Sequence, residues 1–254
     1  MAKTKRLTVT RAGRMVRAVL YTRPMTGDPP KVRAAKTKAS SLAREKLNHK
    51  ASWERCEELL AANFKASDLW ITFTYRDADL PATREQAVRC LKNFLTQLRA
   101  ARRARGEGTI YIKNVEHRTD EGKRWHHHVA LNATGHDFEE IRALWSRYGD
   151  NIQIDPLLDG DNDFAARARY LCKERQPVGK QTWTPSRGLK RPVKTSDVVD
   201  DTLALAAPVG AVILDRDGGG NSWGYFEYIK YIIPDPYADF GEFGPPDRRP
   251  PASA

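Results

Sequence analysis

Cysteine is scarce in this 254-residue chain. Cys56, Cys90 and Cys172 stand far apart with no CxxC pair, which argues against a disulfide framework or a zinc ribbon and fits a reducing compartment. No apolar run approaches the roughly 18 residues that a membrane-spanning helix needs, and the opening MAKTKRLTV lacks the apolar core of a secretory signal. A cytoplasmic protein with no membrane partner is therefore expected. There is no internal repeat, and no GxxxxGK[ST] loop to suggest a built-in nucleotide-driven helicase.

Acidic residues are rare at one end only. Residues 1–50 hold 14 Lys and Arg against two acids, Asp28 and Glu45, whereas the remaining 204 residues hold 29 basic and 30 acidic side chains. The whole net charge of +11 thus comes from the N-terminal segment. A basic segment ahead of a near-neutral domain is an electrostatic handle for a polyanion, most often nucleic acid. Residues 1–39 lack sustained periodicity and contain DPP at Asp28–Pro30, so they read as a disordered, flexible arm.

From Ser40, SSLAREKLNHKASWERCEELLAANF has apolar residues at near-helical spacing, with a break expected around Asn48–Ser52. DLWITFTY suits a buried strand. Thr83 and Gln86 form a capping box opening a helix whose stripe is Ala87, Val88, Leu91, Phe94, Leu95 and Leu98. TIYIKNVE and HHHVALN read as strands, HDFEEIRALWSRYG as a helix, NIQIDP as a strand, and DNDFAARARYLCKE as a helix capped by Asp161 or Asp163. The order βαββαβ predicts an α+β fold: a four- to five-stranded antiparallel sheet of split βαβ, ferredoxin- or RRM-like type. Its helices are expected on one face, leaving the other free for a ligand. The expected divisions are a main domain over 40–198, a β-rich extension with a hairpin over 199–235, and a disordered Pro-rich tail over 236–254.

Three of the six histidines stand together in WHHHVAL. Alternation along a strand places Trp125, His127, Val129 and Leu131 on one side and His126, His128, Ala130 and Asn132 on the other. The first set is apolar, so His127 belongs to the core, while His126 and His128 point together to the other face. On the preceding strand, Ile110, Ile112, Asn114 and Glu116 share a side, and a hairpin brings Glu116 beside the two histidines. Two imidazoles and a carboxylate can hold a divalent ion with coordination positions open for substrate, an arrangement suited to catalysis. Downstream, Tyr170 and Lys173 lie three apart and hence on one helix face. A tyrosine is a weak nucleophile at its ordinary pKa of about 10, but a nearby ammonium and a polarised phosphate make it competent.

The ordered set WITFTY (Trp70–Tyr75), IYIKNVE, HHHVALN, ARYLCKE and SRGLKRP, with the helices LLAANF and RCLKNFLTQLR between and before them, resembles the HUH endonucleases. It is most similar to the bacterial and phage replication-associated proteins of the filamentous-phage gene II type. The resemblance covers about residues 45–195 and, more faintly, WGYFEYIKYI. The family's middle HUH position is usually hydrophobic; here it is His127, which strand parity sends to the core. The third motif carries a single tyrosine.

The resemblance implies sequence-specific nicking and joining of single-stranded DNA to initiate rolling-circle replication in the cytoplasm of a bacterial host, for a phage or plasmid. Glu116, His126 and His128 would hold Mg²⁺ or Mn²⁺, and Tyr170 would form a 5′-phosphotyrosine link, aided by Lys173. The partners implied are single-stranded origin DNA and a host helicase and polymerase. Thr74, Arg76, Ser186, Arg187 and Lys190 are candidate DNA contacts, with Trp183 able to stack on a base. Rival readings are a single-tyrosine transposase or relaxase, and a non-catalytic nucleic-acid-binding protein. A structural zinc site would need a fourth ligand such as His117 or His136.

Overall fold

The apolar periodicities resolve into two separate sets of strands. The computed structural model describes residues 3–24, 42–118, 124–158, 163–173, 181–221 and 224–233. The chain divides into two compact units, one of residues 36–191 and one built from both chain ends. Each contains a five-stranded antiparallel sheet, and four helices accompany them among the described residues. None of these helices is long and apolar enough to cross a membrane.

In the terminal unit, β1 (Lys3–Ala12) and β2 (Met15–Pro24) form a hairpin, turning at Gly13, whose φ of +58° suits glycine. This corrects the expectation of a disordered arm over 1–39: residues 3–12 and 15–24 are strand. Residues 25–41 lie outside the described residues, as does the expected disordered tail at 236–254. The hairpin is stabilised by partners from the far end of the sequence. β8 (Val193–Val199) pairs with β1, and β10 (Gly224–Ile232) pairs with β2 and with β9 (Val212–Asn221), giving the order β8-β1-β2-β10-β9. Leu7, Val16, Ala18, Leu20, Ile229 and Tyr231 share a core with Leu205. Part of the basic charge is used within this unit: Lys5 Nζ donates to the carbonyls of Asp201 and Leu203, and Arg14 Nε to that of Ile233. The pairing of β8 with β1 also moves 192–198 out of the expected main domain and into the terminal unit.

In the central unit, α1 (Leu42–Asn63) runs without the break expected near Asn48. Asn48 and Ser52 are only mildly poor helix formers, and no Gly or Pro interrupts them. The βαββαβ order is as expected: β3 (Leu69–Thr74), α2 (Arg84–Ala104), β4 (Tyr111–Arg118), β5 (Arg124–Leu131), α3 (Asp137–Trp145) and β6 (Ile152–Pro156). The sheet order is β6-β3-β5-β4, with the short β7 (Thr184–Pro185) added beside β4. The Thr83–Gln86 capping box opens α2, and α2 and α3 are tied by a buried ion pair between Arg102 and Asp137.

Alternation sets what each sheet face does. Leu69, Ile71, Phe73 and Tyr75 of β3 and its extension, with Val129 and Leu131 of β5, face α2 and α3, meeting Leu91, Phe94, Leu98 and Trp145. The opposite parity, Trp70, Ile112 and Ala130, packs under Cys56 and Leu60 of α1, Phe64 just after it, and Ala168 and Leu171 of α4 (Ala165–Leu171). Helices therefore lie on both faces, not one as expected. The second face is apolar only over half its length, and α1 and α4 cover that half because exposing Trp70 and Ile112 to water is unfavourable.

Candidate metal and tyrosine site

The other half of that second face is polar. Register places Glu116 opposite His126 and Asn114 opposite His128 across β4 and β5, and Thr72 and Thr74 opposite His128 and His126 across β3 and β5. Three strands thus converge on one patch at the end that α1 and α4 leave unfilled.

Glu116 and His128 are buried and His126 is half-buried. One oxygen, Glu116 Oε2, lies 3.0 Å from His126 Nε2 and 2.9 Å from His128 Nε2. His126 Nε2 is in hydrogen-bonding geometry to it. His128 Nε2 is not: it is close enough but badly angled, and it is buried without a hydrogen-bond partner. On its other side, His128 Nδ1 meets Thr72 Oγ1 at 3.1 Å. If Nδ1 carries the proton and Thr72 accepts it, the Nε2 lone pair faces Glu116 and His126, the tautomer a metal ligand needs. Burial pushes the His128 pKa down to about 3, helped by His126 and Arg167, so the ring is neutral. Donor atoms of Glu116, His126 and His128 all lie within 4.8 Å of one another. A buried carboxylate, a neutral imidazole with an orphaned nitrogen and a second imidazole form a nitrogen and oxygen donor set that fits a divalent cation.

His127 has the opposite fate. It is fully buried on the α2 and α3 side, its Nε2 2.6 Å from the hydroxyl of Tyr75, and burial holds its pKa well below the ordinary histidine value. Parity separates it from its two neighbours.

Tyr170 belongs to the same patch. Its ring meets that of His128 edge-on with centroids 4.7 Å apart, and that of Trp70 at 5.8 Å. It is 39% exposed, so one side is open to a ligand. Lys173 Nζ lies 3.9 Å from the Tyr170 ring centroid and 2.6 Å from Glu116 Oε1. The two oxygens of Glu116 therefore serve different neighbours, one the imidazoles and the other the ammonium. Tyr170 and Lys173 reach the patch because α4 packs its Ala168 and Leu171 into the apolar half of the face. Asp163 Oδ1 accepts from Ala165 N at the start of α4, while Asp161 lies outside the described residues.

The expected DNA contacts are divided. Thr74 stands in register with His126, though its hydroxyl donates to the Asn151 carbonyl, and Arg76 Nε pairs with Asp79. Ser186 is buried and its Oγ accepts from Tyr111 N, so it fastens its loop; Arg187 and Lys190 are exposed. His136 stands at the N-terminal end of α3 and is not among the clustered donors.

Three residues of the site lie within the sequence motifs but have no role assigned by them. Thr72 supports His128. Asn114 accepts from His128 N and donates to the Leu171 carbonyl, joining β5 to the end of α4. Trp70 stacks against His128 at 5.5 Å, and the Arg167 guanidinium lies 4.8 Å from the Trp70 ring centroid. Parity alone puts Thr72 and Asn114 on the site's face; their partners depend on register between strands distant in sequence.

Residues 68–176 match a family model described as replication-associated protein, ORF2/gene II protein type. No curated protein and no solved structure gives a match. The matched span runs from the residue before β3 to just beyond Lys173 and so contains Glu116, His126, His128 and Tyr170. Over residues 68–176, then, the chain is similar to replication-associated proteins of the ORF2/gene II protein type.

Proposed function

We propose that the protein nicks and rejoins single-stranded DNA at a replication origin through a 5′-phosphotyrosine intermediate. The observation that carries this reading is the packing of the Tyr170 ring against His128, with Lys173 between Tyr170 and Glu116. A nucleophile, a cation and a metal-ligand set converge where one side is open.

Glu116, His126 and His128 would hold Mg²⁺ or Mn²⁺, which when bound draws charge from the scissile phosphate. Tyr170 Oη attacks phosphorus, forming the tyrosyl O–P bond as the P–O3′ bond breaks; the 3′ oxygen leaves with the electron pair and takes up a proton. Lys173, beside both the Tyr170 ring and Glu116, would orient the phosphate. Thr72 keeps His128 in its ligating tautomer, and Asn114 holds α4 in register with β5. The phosphodiester energy is kept in the covalent link, so the reverse reaction needs no nucleotide. Arg187 and Lys190 would contact phosphates, and the free 3′-OH would serve a host polymerase, with a host helicase opening the duplex.

The test needs no known origin. The protein is incubated with Mn²⁺ and a labelled, randomised pool of single-stranded oligonucleotides, then run on a denaturing gel. Wild type should give an SDS-resistant adduct, and Tyr170→Phe none. An adduct of undiminished yield from Tyr170→Phe would refute the reading.

A further inference from the structure

Outside the metal and tyrosine site, a well-formed concavity of the central unit lies between α1 and the segment around and after β7. It is a cavity of about 620 Å³, within the ~300–1,000 Å³ typical of small-ligand pockets. Its lining is unusual in charge. Arg55, Arg187 and Arg191 enter it, no carboxylate does, and none of the three arginines has a carboxylate partner among the described residues. Four other arginines of this unit, Arg76, Arg102, Arg105 and Arg124, are instead paired with carboxylates. Between the arginines the wall is apolar: Leu59, Trp183 and Leu189.

The pocket is built, not a chance gap between loose side chains. Ser186 N donates to the Tyr111 carbonyl and Tyr111 N to Ser186 Oγ, which fixes one end of the segment to β4. Asn63 holds the other end through a reciprocal pair with the backbone of Lys190. Between these anchors the chain reverses at Gly188, whose φ of +83° other residues rarely adopt. Trp183 is held by Nε1 donating to Ser52 Oγ. The pocket also adjoins the proposed reaction centre: Cys172, next to Lys173 and two residues from Tyr170, has Ser52 and Trp183 as hydrogen-bonding neighbours.

We propose that this pocket takes one splayed-out nucleotide of the single-stranded DNA, its base against Trp183 and the leucines and its phosphates among Arg55, Arg187 and Arg191. Arginine forks match phosphate oxygens, and an aromatic wall accepts any base face. The inference rests on single-stranded DNA being the substrate, and it adds a second holding point beyond the residues around Tyr170. It gives the SRGLK segment a definite role: Arg187 contacts the strand, while Ser186 and the backbone of Lys190 fasten the loop that presents it.

The experiment uses the full chain as Tyr170→Phe, so that binding is read without cleavage. Fluorescence anisotropy with a labelled, randomised 30-nucleotide single strand is compared with a duplex of the same length, over a series of salt concentrations, for this protein and for the same protein carrying Arg55→Glu and Arg191→Glu. Both arginines are exposed, and a melting curve for each protein checks the fold. Single-strand affinity should fall about tenfold or more, and the slope of log K against log salt should shrink by about 0.7 for each phosphate that the protein no longer neutralises. Unchanged affinity and slope would overturn the proposal. So would equal weakening for single strand and duplex, which would mark a non-specific basic surface. The wild-type adduct assay runs separately: a wild type that forms no adduct while the charge-reversed protein binds the strand poorly would refute the nickase reading and leave the pocket standing.

Discussion

The two faces of the central sheet use the same strands for opposite purposes. Toward α2 and α3, alternate residues of β3 and β5 bury Ile71, Phe73, Val129 and Leu131, and even a histidine there, His127, is used as a packing group. Toward α1 and α4, the residues between them change character along the strand, from Trp70 and Ala130 to Thr72, His126 and His128. The apolar half seats α4, and the polar half receives the tyrosine that α4 carries. One face stabilises the domain; the other couples packing to the proposed reaction site, which makes the position of Tyr170 a consequence of core formation.

This contrast can be broken from either side. The largest effect is expected from replacing both His126 and His128 by alanine. Adduct yield should drop by about 10²- to 10³-fold or more, the scale on which electrostatic support at a reacting centre is lost, and Mn²⁺ binding measured by calorimetry should disappear with little change in melting temperature. A matching stability change on the other face comes from Phe73→Ala, which opens a cavity against Phe94 and Trp145. It should cost about 3–5 kcal/mol in urea unfolding, and a cost below ~1 kcal/mol would mean that this face is not the core described.

Smaller changes sharpen the comparison. Thr72→Val removes the acceptor at His128 Nδ1, and should weaken Mn²⁺ binding by about 10- to 100-fold while melting within a few degrees of wild type. Equal Mn²⁺ affinity would show that the tautomer is set by something else. Tyr75→Phe leaves buried His127 without its partner and should cost roughly 1–3 kcal/mol. Adding His127→Leu should recover most of that loss, since apolar groups replace both partners, and Mn²⁺ binding should persist in the double variant. A double variant that loses Mn²⁺ would bring His127 into the site.

How far these features can be read from sequence follows from the range of the forces involved. The βαββαβ order and the opposite fates of His127 and His128 follow from local periodicity, so WHHHVAL and TIYIKNVE suffice. The N-terminal hairpin is not legible because Lys and Arg interrupt the alternation of Leu7 and Val9, and because its strand partners, β8 and β10, lie 182 to 217 residues away. The expectation of a bare second sheet face fails for a related reason: Trp70, Ile112 and Ala130 each look ordinary alone, and only their register reveals an apolar patch that needs α1 and α4. Glu116, His126, His128, Tyr170 and Lys173 stand out through spacing and resemblance. Thr72 and Asn114 do not, because a supporting residue has no motif of its own.

The central claim is that Tyr170, seated by packing on one half of a sheet face, reacts beside the ligands on the other half. Mapping the adduct tests it most directly. Wild-type protein captured on the single-stranded pool with Mn²⁺ is digested with nuclease and trypsin and the modified peptide is sequenced by mass spectrometry. The account predicts the peptide Tyr170–Lys173 with a 5′-phosphonucleotide on Tyr170. A linkage at another tyrosine, or through a 3′-phosphate, would contradict it.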